Sequence, residues 1–215
     1  MKSVLMIGAG KFGTLLCRNL MKLGNEVMIV DEDEEKLTEL LDCATSVKIA
    51  NCTRKEVLAS FGPADFDVCI VCIPSDFQSS LEITNQLYEM GARRVISLAS
   101  TEIQAKFLHR NGADEIIYPE RDIAERSAMA ISHDSVFDFI KLSEEYAIFE
   151  MTPPEQWIGR SIKAVNVRAR YQLSILGNRK DGKIEMPGPD YVFKKEEHLI
   201  VMGHIDTIHG LVERT

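Results

Sequence analysis

The stretch Ser3-Val4-Leu5-Met6-Ile7-Gly8-Ala9-Gly10-Lys11-Phe12-Gly13 decides the fold, read together with Val30-Asp31 further on. Ser3–Ile7 is a short apolar run, and Phe12, Leu15, Leu16, Leu20 and Leu23 then recur at the three-to-four spacing of a helix. The segment therefore reads as strand, glycine turn, helix, with a second strand ending at Val30. In such a unit Gly8 permits the tight turn, Gly10 lets the backbone approach a pyrophosphate, and Gly13 lets helix pack closely on strand. The free N–H groups and positive dipole of the helix start hold phosphate oxygens. A carboxylate at Asp31 accepts hydrogen bonds from both ribose hydroxyls, or it caps the next helix, since Asp31-Glu32-Asp33-Glu34-Glu35 also suits a helix start. The same acids repel the 2′-phosphate of NADP. Lys11 either reaches a terminal phosphate of ADP or ATP or stands solvated in the first helical turn.

Outward from this unit, strand candidates Ser46–Ile49, Asp67–Ile73, Arg94–Leu98 and Glu115–Tyr118 follow Ser3–Ile7 and Glu26–Val30. Between them lie helical segments at about 12–22, 33–41, 54–60, 77–90 and 101–111. Runs such as VLMI, VMIV and VCIVCI are almost continuously apolar, as in a parallel sheet covered on both faces. The expected fold is α/β, a doubly wound Rossmann-type sheet of six parallel strands. Its ligands bind at the carboxyl edge of the strands. Candidate contacts there are Asn51-Cys52-Thr53 beside an adenine, Ile73-Pro74, Ala99, and the glycine loop with Asp31 and Glu32. Thr53 reads equally as a helix N-cap, and Ser75 or Asp76 as the cap of the helix at 77–90.

From Pro119 to about Leu142 the pattern predicts one long helix, with Ile123, Met129, Ile131, Val136, Phe139 and Ile140 giving it two apolar faces. Such a helix either closes the first domain or packs against a second protomer, and the second is favoured because two apolar faces are hard to bury on one sheet edge. Beyond it, Ala147–Met151, a helix at 160–169, Tyr171–Gly177, Ile184–Met186, His198–Met202 and a final helix make a small C-terminal α+β domain. The expected boundaries are 1–140 and 141–215.

Charge supports two units of different character. Residues 1–140 carry 14 Lys+Arg against 22 Asp+Glu, the whole net charge of -8, while residues 141–215 carry 11 of each. An acidic chain lacks the clustered Lys and Arg that neutralise phosphate backbones, which argues against nucleic acid as a partner. No apolar run approaches the ~18–20 residues that span a bilayer. The five cysteines fit a reducing cytosol. Cys69 and Cys72, three apart in a strand, point to opposite faces and do not make a redox or zinc pair. The five histidines form no metal motif, and no Ser/Tyr-x-x-x-Lys pairing suits a short-chain reductase.

The chain resembles the bacterial Trk/Ktr-type regulatory subunits of potassium uptake, an RCK (KTN) nucleotide-binding domain followed by a small RCK C-terminal domain. The resemblance rests on Gly8–Gly13 with Phe12 between the glycines, and on Asp31 ahead of an acidic helix start. It also rests on Asn51-Cys52-Thr53, where the family usually has Asp/Asn-Ala-Thr, and on Tyr118-Pro119-Glu120-Arg121-Asp122. In the second domain it is carried by Trp157–Ile162, Arg168–Tyr171 and Met186-Pro187-Gly188-Pro189-Asp190.

The resemblance implies a non-enzymatic gating subunit, cytoplasmic and peripheral at the inner face of the membrane. It would assemble as a homodimer and then a tetramer of dimers, an octameric ring, beneath a membrane potassium-transporter pore subunit. It implies an adenine nucleotide, ATP or ADP in preference to NAD or NADH, with Lys11 near the terminal phosphate. Glu120 matches a carboxylate that holds a divalent or monovalent cation at the dimer interface in some members, or it is a helix-start acid paired with Arg121. Arg168 matches the basic residue with which some relatives bind a cyclic dinucleotide, whereas Ser174 stands where they have Asn. Two other classes compete: a small NAD-dependent oxidoreductase, for which no proton donor is found, and an NADH-sensing transcription factor, for which no helix-turn-helix segment is found.

Overall fold

Val4, Met6, Val27, Ile29, Val68, Ile70 and Cys72 pack on one side of the first sheet, and Leu5, Ile7, Val30, Cys69 and Val71 on the other. This is the alternation that a strand imposes on successive side chains. Because both sets are buried, the strands read as unbroken apolar runs. The structure, a computed structural model, describes residues 1–212; residues 213–215 of the expected C-terminal domain lie outside it.

In the first unit, Met1–Glu120, the elements run β1 (Ser3–Ile7), α1 (Lys11–Lys22), β2 (Glu26–Asp31), α2 (Glu34–Leu37), β3 (Ser46–Ile49), α3 (Lys55–Ser60), β4 (Val68–Val71), α4 (Phe77–Glu89), β5 (Val95–Leu98), α5 (Glu102–Arg110) and β6 (Glu115–Ile117). Neighbouring strands are parallel in the order β3-β2-β1-β4-β5-β6. The order reverses between β1 and β4, the switch point where doubly wound folds bind ligands. The expected α/β class and its six strands are present. α1 buries Phe12, Leu16, Cys17 and Leu20, whereas Leu15 and Leu23 of the expected stripe are exposed. The segment expected as a helix at 33–41 is one α-helical turn, α2, followed by a 3-10 turn over Thr38–Leu40.

The second unit, from Arg121 on, differs most from expectation. The single helix expected from 119 to 142 is α6 (Pro119–Ser132) followed by a strand, β7 (Val136–Lys141). A bulge between Val136 and Asp138 shifts the register against the neighbouring strand. Val136 and Phe139 therefore both face the core at an offset of three, which imitates a helix in the sequence. The expected boundary at 140 falls inside β7, and the division lies after Glu120.

There follow β8 (Tyr146–Met151), α7 (Ile162–Val165), α8 (Val167–Tyr171), β9 (Ser174–Lys180), β10 (Lys183–Glu185), β11 (His198–His204) and α9 (Ile205–Val212). The helix expected at 160–169 is broken at Asn166, whose left-handed backbone (φ 56°) ends α7 and starts α8. The strands form an antiparallel sheet in the order β10-β9-β11-β8-β7. Its core gathers Phe139, Phe149, Trp157, Phe193, Leu199, Val201 and Ile208. Its other face carries Glu150, which accepts hydrogen bonds from His198 Nδ1 at 2.9 Å and lies 3.1 Å from Arg179 Nη1. α6 has no buried residue; Arg126 grips Asp138 of β7 through both carboxylate oxygens.

One carboxyl in this unit is buried at a cost. Glu197 accepts the Tyr191 hydroxyl hydrogen and is 2% exposed, and loss of water raises its pKa above the ordinary carboxylate value. A raised folded pKa gives stability that is complete below the unfolded value and lost as pH rises through the folded one. Glu197→Gln keeps an acceptor for Tyr191 and removes the charge. It is expected to melt above the parent at pH 8, where the parent carries the buried charge, with the difference closing towards pH 4. Calorimetry across that range checks it; a parent that gains on the variant as pH rises would refute it.

Candidate nucleotide-binding site

The glycine turn is built as its spacing predicts, each glycine for a different reason. Gly8 has φ +103°, and a Cβ there would stand 2.4 Å from the Cys72 carbonyl oxygen. At Gly13 a Cβ would meet the Gly8 carbonyl oxygen at 2.3 Å, so this glycine is what lets α1 approach β1. Gly10 has no protein atom within 4 Å of its Cβ position. Nothing in the protein's own packing demands glycine at 10, and the backbone there is open to close approach from outside. Gly10 is also the N-cap of α1, without a side-chain cap and without acids in the first turn. The helix start thus presents uncapped N–H groups and uncompensated positive dipole.

Asp31 ends β2 beside this turn. Its Oδ2 accepts from Ala9 N at 2.7 Å, its Oδ1 accepts from Asp33 N at 2.9 Å, and Lys36 Nζ lies 3.7 Å away. The carboxylate therefore holds the glycine loop in place, and each oxygen keeps a free lone pair for a ribose hydroxyl. The capping role falls to Asp33, which accepts from Glu35 N, and not to Asp31. Thr53 does not cap α3 either; its N–H and hydroxyl both donate to Asn51 Oδ1 at 2.9 and 2.6 Å. Asp76 is the cap of α4.

These groups surround a cleft of about 370 Å³ at the carboxyl ends of β1 to β4. Of the residues singled out in the sequence, Gly8, Asp31, Glu32, Asn51, Cys52, Thr53 and Ile73 line it. Asn51 Nδ2 donates to Glu32 Oε2 at 3.0 Å, which joins the two strand tips across the rim. Cys52 is buried against Leu58, Ile83 and Leu87, and burial with the Asp31 charge beside it pushes its thiol up to about 12, so it stays neutral. Ala9, Gly10, Lys11 and Gly13 form the turn itself, while Phe12 packs into the core beneath α1. Lys11 is exposed and forms no ion pair among the described residues.

Three other residues singled out in the sequence stand outside the cleft lining. Pro74 is next to the lining but not part of it. Ala99 is wholly buried with Leu108 and Ala113, its N–H already donated to Ile117. Glu120 is exposed in the first turn of α6, and no group of three or more His, Cys, Asp or Glu among the described residues is arranged to hold a metal. The sequence reading missed Lys36, Ser79 and Ile83, which complete the walls. Ser79 and Ile83 stand four apart on α4 and face the cleft together, a helical spacing that could have found them.

The chain matches the TrkA-N domain family over residues 4–119 and the TrkA-C domain family over residues 146–214. It is 35% identical to the Ktr system potassium uptake protein A of Bacillus subtilis (strain 168) over 204 residues, 94% of this chain and 92% of that one. It is 33% identical to the Ktr system potassium uptake protein C of the same organism over 214 residues, 99% of this chain and 97% of that one. Among solved structures, the GsuK RCK domain superposes with a TM-score of 0.68 at 18% identity, over 99% of this chain and 47% of that one. The GsuK channel bound to NAD gives 0.69 at 19%, over 98% of this chain and 38% of that one, so the chain spans less than half of either. At such identities the two structures speak for the fold, an RCK-type arrangement of parallel and antiparallel sheets. The full-length relatives and the two domain matches place the chain in the Trk/Ktr potassium-uptake family, as a TrkA-N domain followed by a TrkA-C domain.

Proposed function

We propose that this chain is the nucleotide-binding regulatory subunit of a bacterial potassium-uptake transporter, not an enzyme. The single observation that carries the reading is the cleft in which an uncapped helix start, a glycine with open space above it and the Asp31 carboxylate converge. Phosphates would lie on the helix start, the ribose on Asp31 and the base along residues 51–53. The ligand is an adenine nucleotide, ADP or ATP in preference to NAD or NADH. Two features support that preference. The cleft is lined from the tips of β1 to β4, and no residue at the tip of β5, towards which a dinucleotide would extend, belongs to its lining. Exposed Lys11 stands in the first turn of α1, free to meet a terminal phosphate.

The rest of the machine is a membrane pore subunit to which this chain binds from the cytoplasm. No helix among the described residues is long and apolar enough to cross a membrane. The chain assembles as a homodimer, and four dimers as a ring; the homodimer is supported by α6, which buries none of its residues and leaves Ile123 and Ile131 63% and 82% exposed. A cation at Glu120 would draw carboxylates from two protomers, since a single chain offers no such cluster among its described residues.

A thermal titration tests the reading. ADP at about 100 times its Kd stabilises a folded chain by about 2.7 kcal/mol, which raises Tm by several degrees. Asp31→Ala removes the ribose acceptor and leaves Ala9 N–H unpaired, and is expected to abolish the shift. A large NADPH shift with none from ADP, ATP or NADH would overturn the proposal.

A further inference from the structure

We infer that Gln86, on the α4 face behind the cleft, is a positioning residue that sets the cleft's width. The inference rests on the nucleotide reading above. One wall of the cleft is the segment 51–53, and the other is α4 with Asp76, Ser79 and Ile83. Gln86 spans the two. It is 7% exposed, and its Nε2 donates to the Thr53 carbonyl at 2.9 Å and to Glu82 Oε1 at 3.3 Å. Its own Oε1 is buried without a hydrogen-bond partner.

That orphaned oxygen shows which bond governs the amide. Turning the amide over would set oxygen against oxygen at Thr53, because a carbonyl only accepts. The side chain therefore keeps its nitrogen on Thr53 and leaves the oxygen unsatisfied. A second tie joins the same two walls, Lys55 to Glu89 at 3.0 Å, but it is exposed and screened by salt. On the far side Asn51 fastens the segment to Glu32, also at the surface. Gln86 is thus the buried polar strap of a lip whose other polar ties are solvent-exposed; Cys52 packs the lip's apolar side on Ile83 and Leu87 without fixing its register, and loosening Gln86 lets the Thr53 end swing away from α4.

The test uses the full chain with Gln86→Met, which keeps length and loses the donor, and Gln86→Glu, which keeps shape and cannot donate while ionised. Isothermal titration with ADP and with adenosine is expected to show both ligands weakened about tenfold in both variants, the worth of one buried hydrogen bond. The ratio of the two affinities should stay unchanged, because the phosphate end is untouched. Without ligand, amide exchange at 53–55 should quicken while that of β1 does not. ADP affinity within twofold of the parent in either folded variant, or unchanged exchange at 53–55, would overturn the role of Gln86 alone. No binding of ADP or adenosine to the unaltered chain would overturn the nucleotide reading with it.

Discussion

Gly10→Ala is expected to abolish ADP binding while costing no more than about 1 kcal/mol of stability, and Gly13→Ala to cost about 3 kcal/mol. The two substitutions add the same methyl group three residues apart. At position 10 that group meets no protein atom within 4 Å. It projects instead into the space where a pyrophosphate would approach the backbone, so the loss falls on the ligand. The stability cost there is only that of exchanging glycine for alanine at an N-cap. At position 13 the methyl would stand 2.3 Å from the Gly8 carbonyl oxygen, a backbone atom that cannot rotate aside. Gly8 is itself bound, its N–H donated to the Val30 carbonyl at 2.8 Å. Relief must come from α1 moving off β1, which opens the core around Cys17 and Leu16. Calorimetry and ADP titration of the two variants side by side check both halves. A Gly10→Ala chain that binds ADP like the parent would remove the phosphate from this loop, and a Gly13→Ala chain of parental stability would refute the packing role.

Those two glycines were legible in the sequence because strand, turn and helix constrain each other within 31 residues. The six parallel strands were legible for a similar reason. The central strands β1, β2, β4 and β5 are covered on both faces and have little freedom to alternate, so VLMI and VCIV announce themselves, while the edge strands β3 and β6 follow from the strand-helix rhythm around them. The second unit was harder to read because its cues are displaced. The bulge in β7 gives Val136 and Phe139 a helical offset, and Asn166 interrupts a helix whose composition continues unbroken.

Within the site, residues at strand tips were found and their partners were not. Asp31 reads as a ribose acceptor from its position, but its bond to Ala9 N depends on how β1 and β2 stagger. Ala99 sits at a strand tip like Cys52, yet α5 covers it, and no pattern in the neighbouring residues says which tips stay open. Gln86 carries no motif at all; its role comes from a carbonyl 33 residues away.

Trp157→Ala is expected to cost 3–5 kcal/mol, about the range for an aromatic side chain removed from a core, and to melt the second unit while ADP binding by the first survives. Trp157 is 0% exposed, its ring 5.2 Å from that of Tyr171 and 5.3 Å from that of Phe193. It joins the turn after β8 to α8 and to the strand-like segment at Phe193, so three parts of a small unit depend on one side chain. Its indole N–H is buried without a hydrogen-bond partner, so Trp157→Phe loses volume but no hydrogen bond and should cost less than half as much. The cleft residues all belong to Met1–Glu120, a unit with its own core clusters. Amide exchange should therefore show β8, β9 and β11 opening in Trp157→Ala with β1 and β4 still protected, and the ADP-induced protection of residues 8–13 should persist. If the TrkA-C unit passes the nucleotide state on to the transporter, this chain would sense ADP and still fail to restore potassium-limited growth. Loss of protection in both units together would show instead that the chain folds as one cooperative body, and that its sensing and regulatory parts cannot be separated by removing one core side chain.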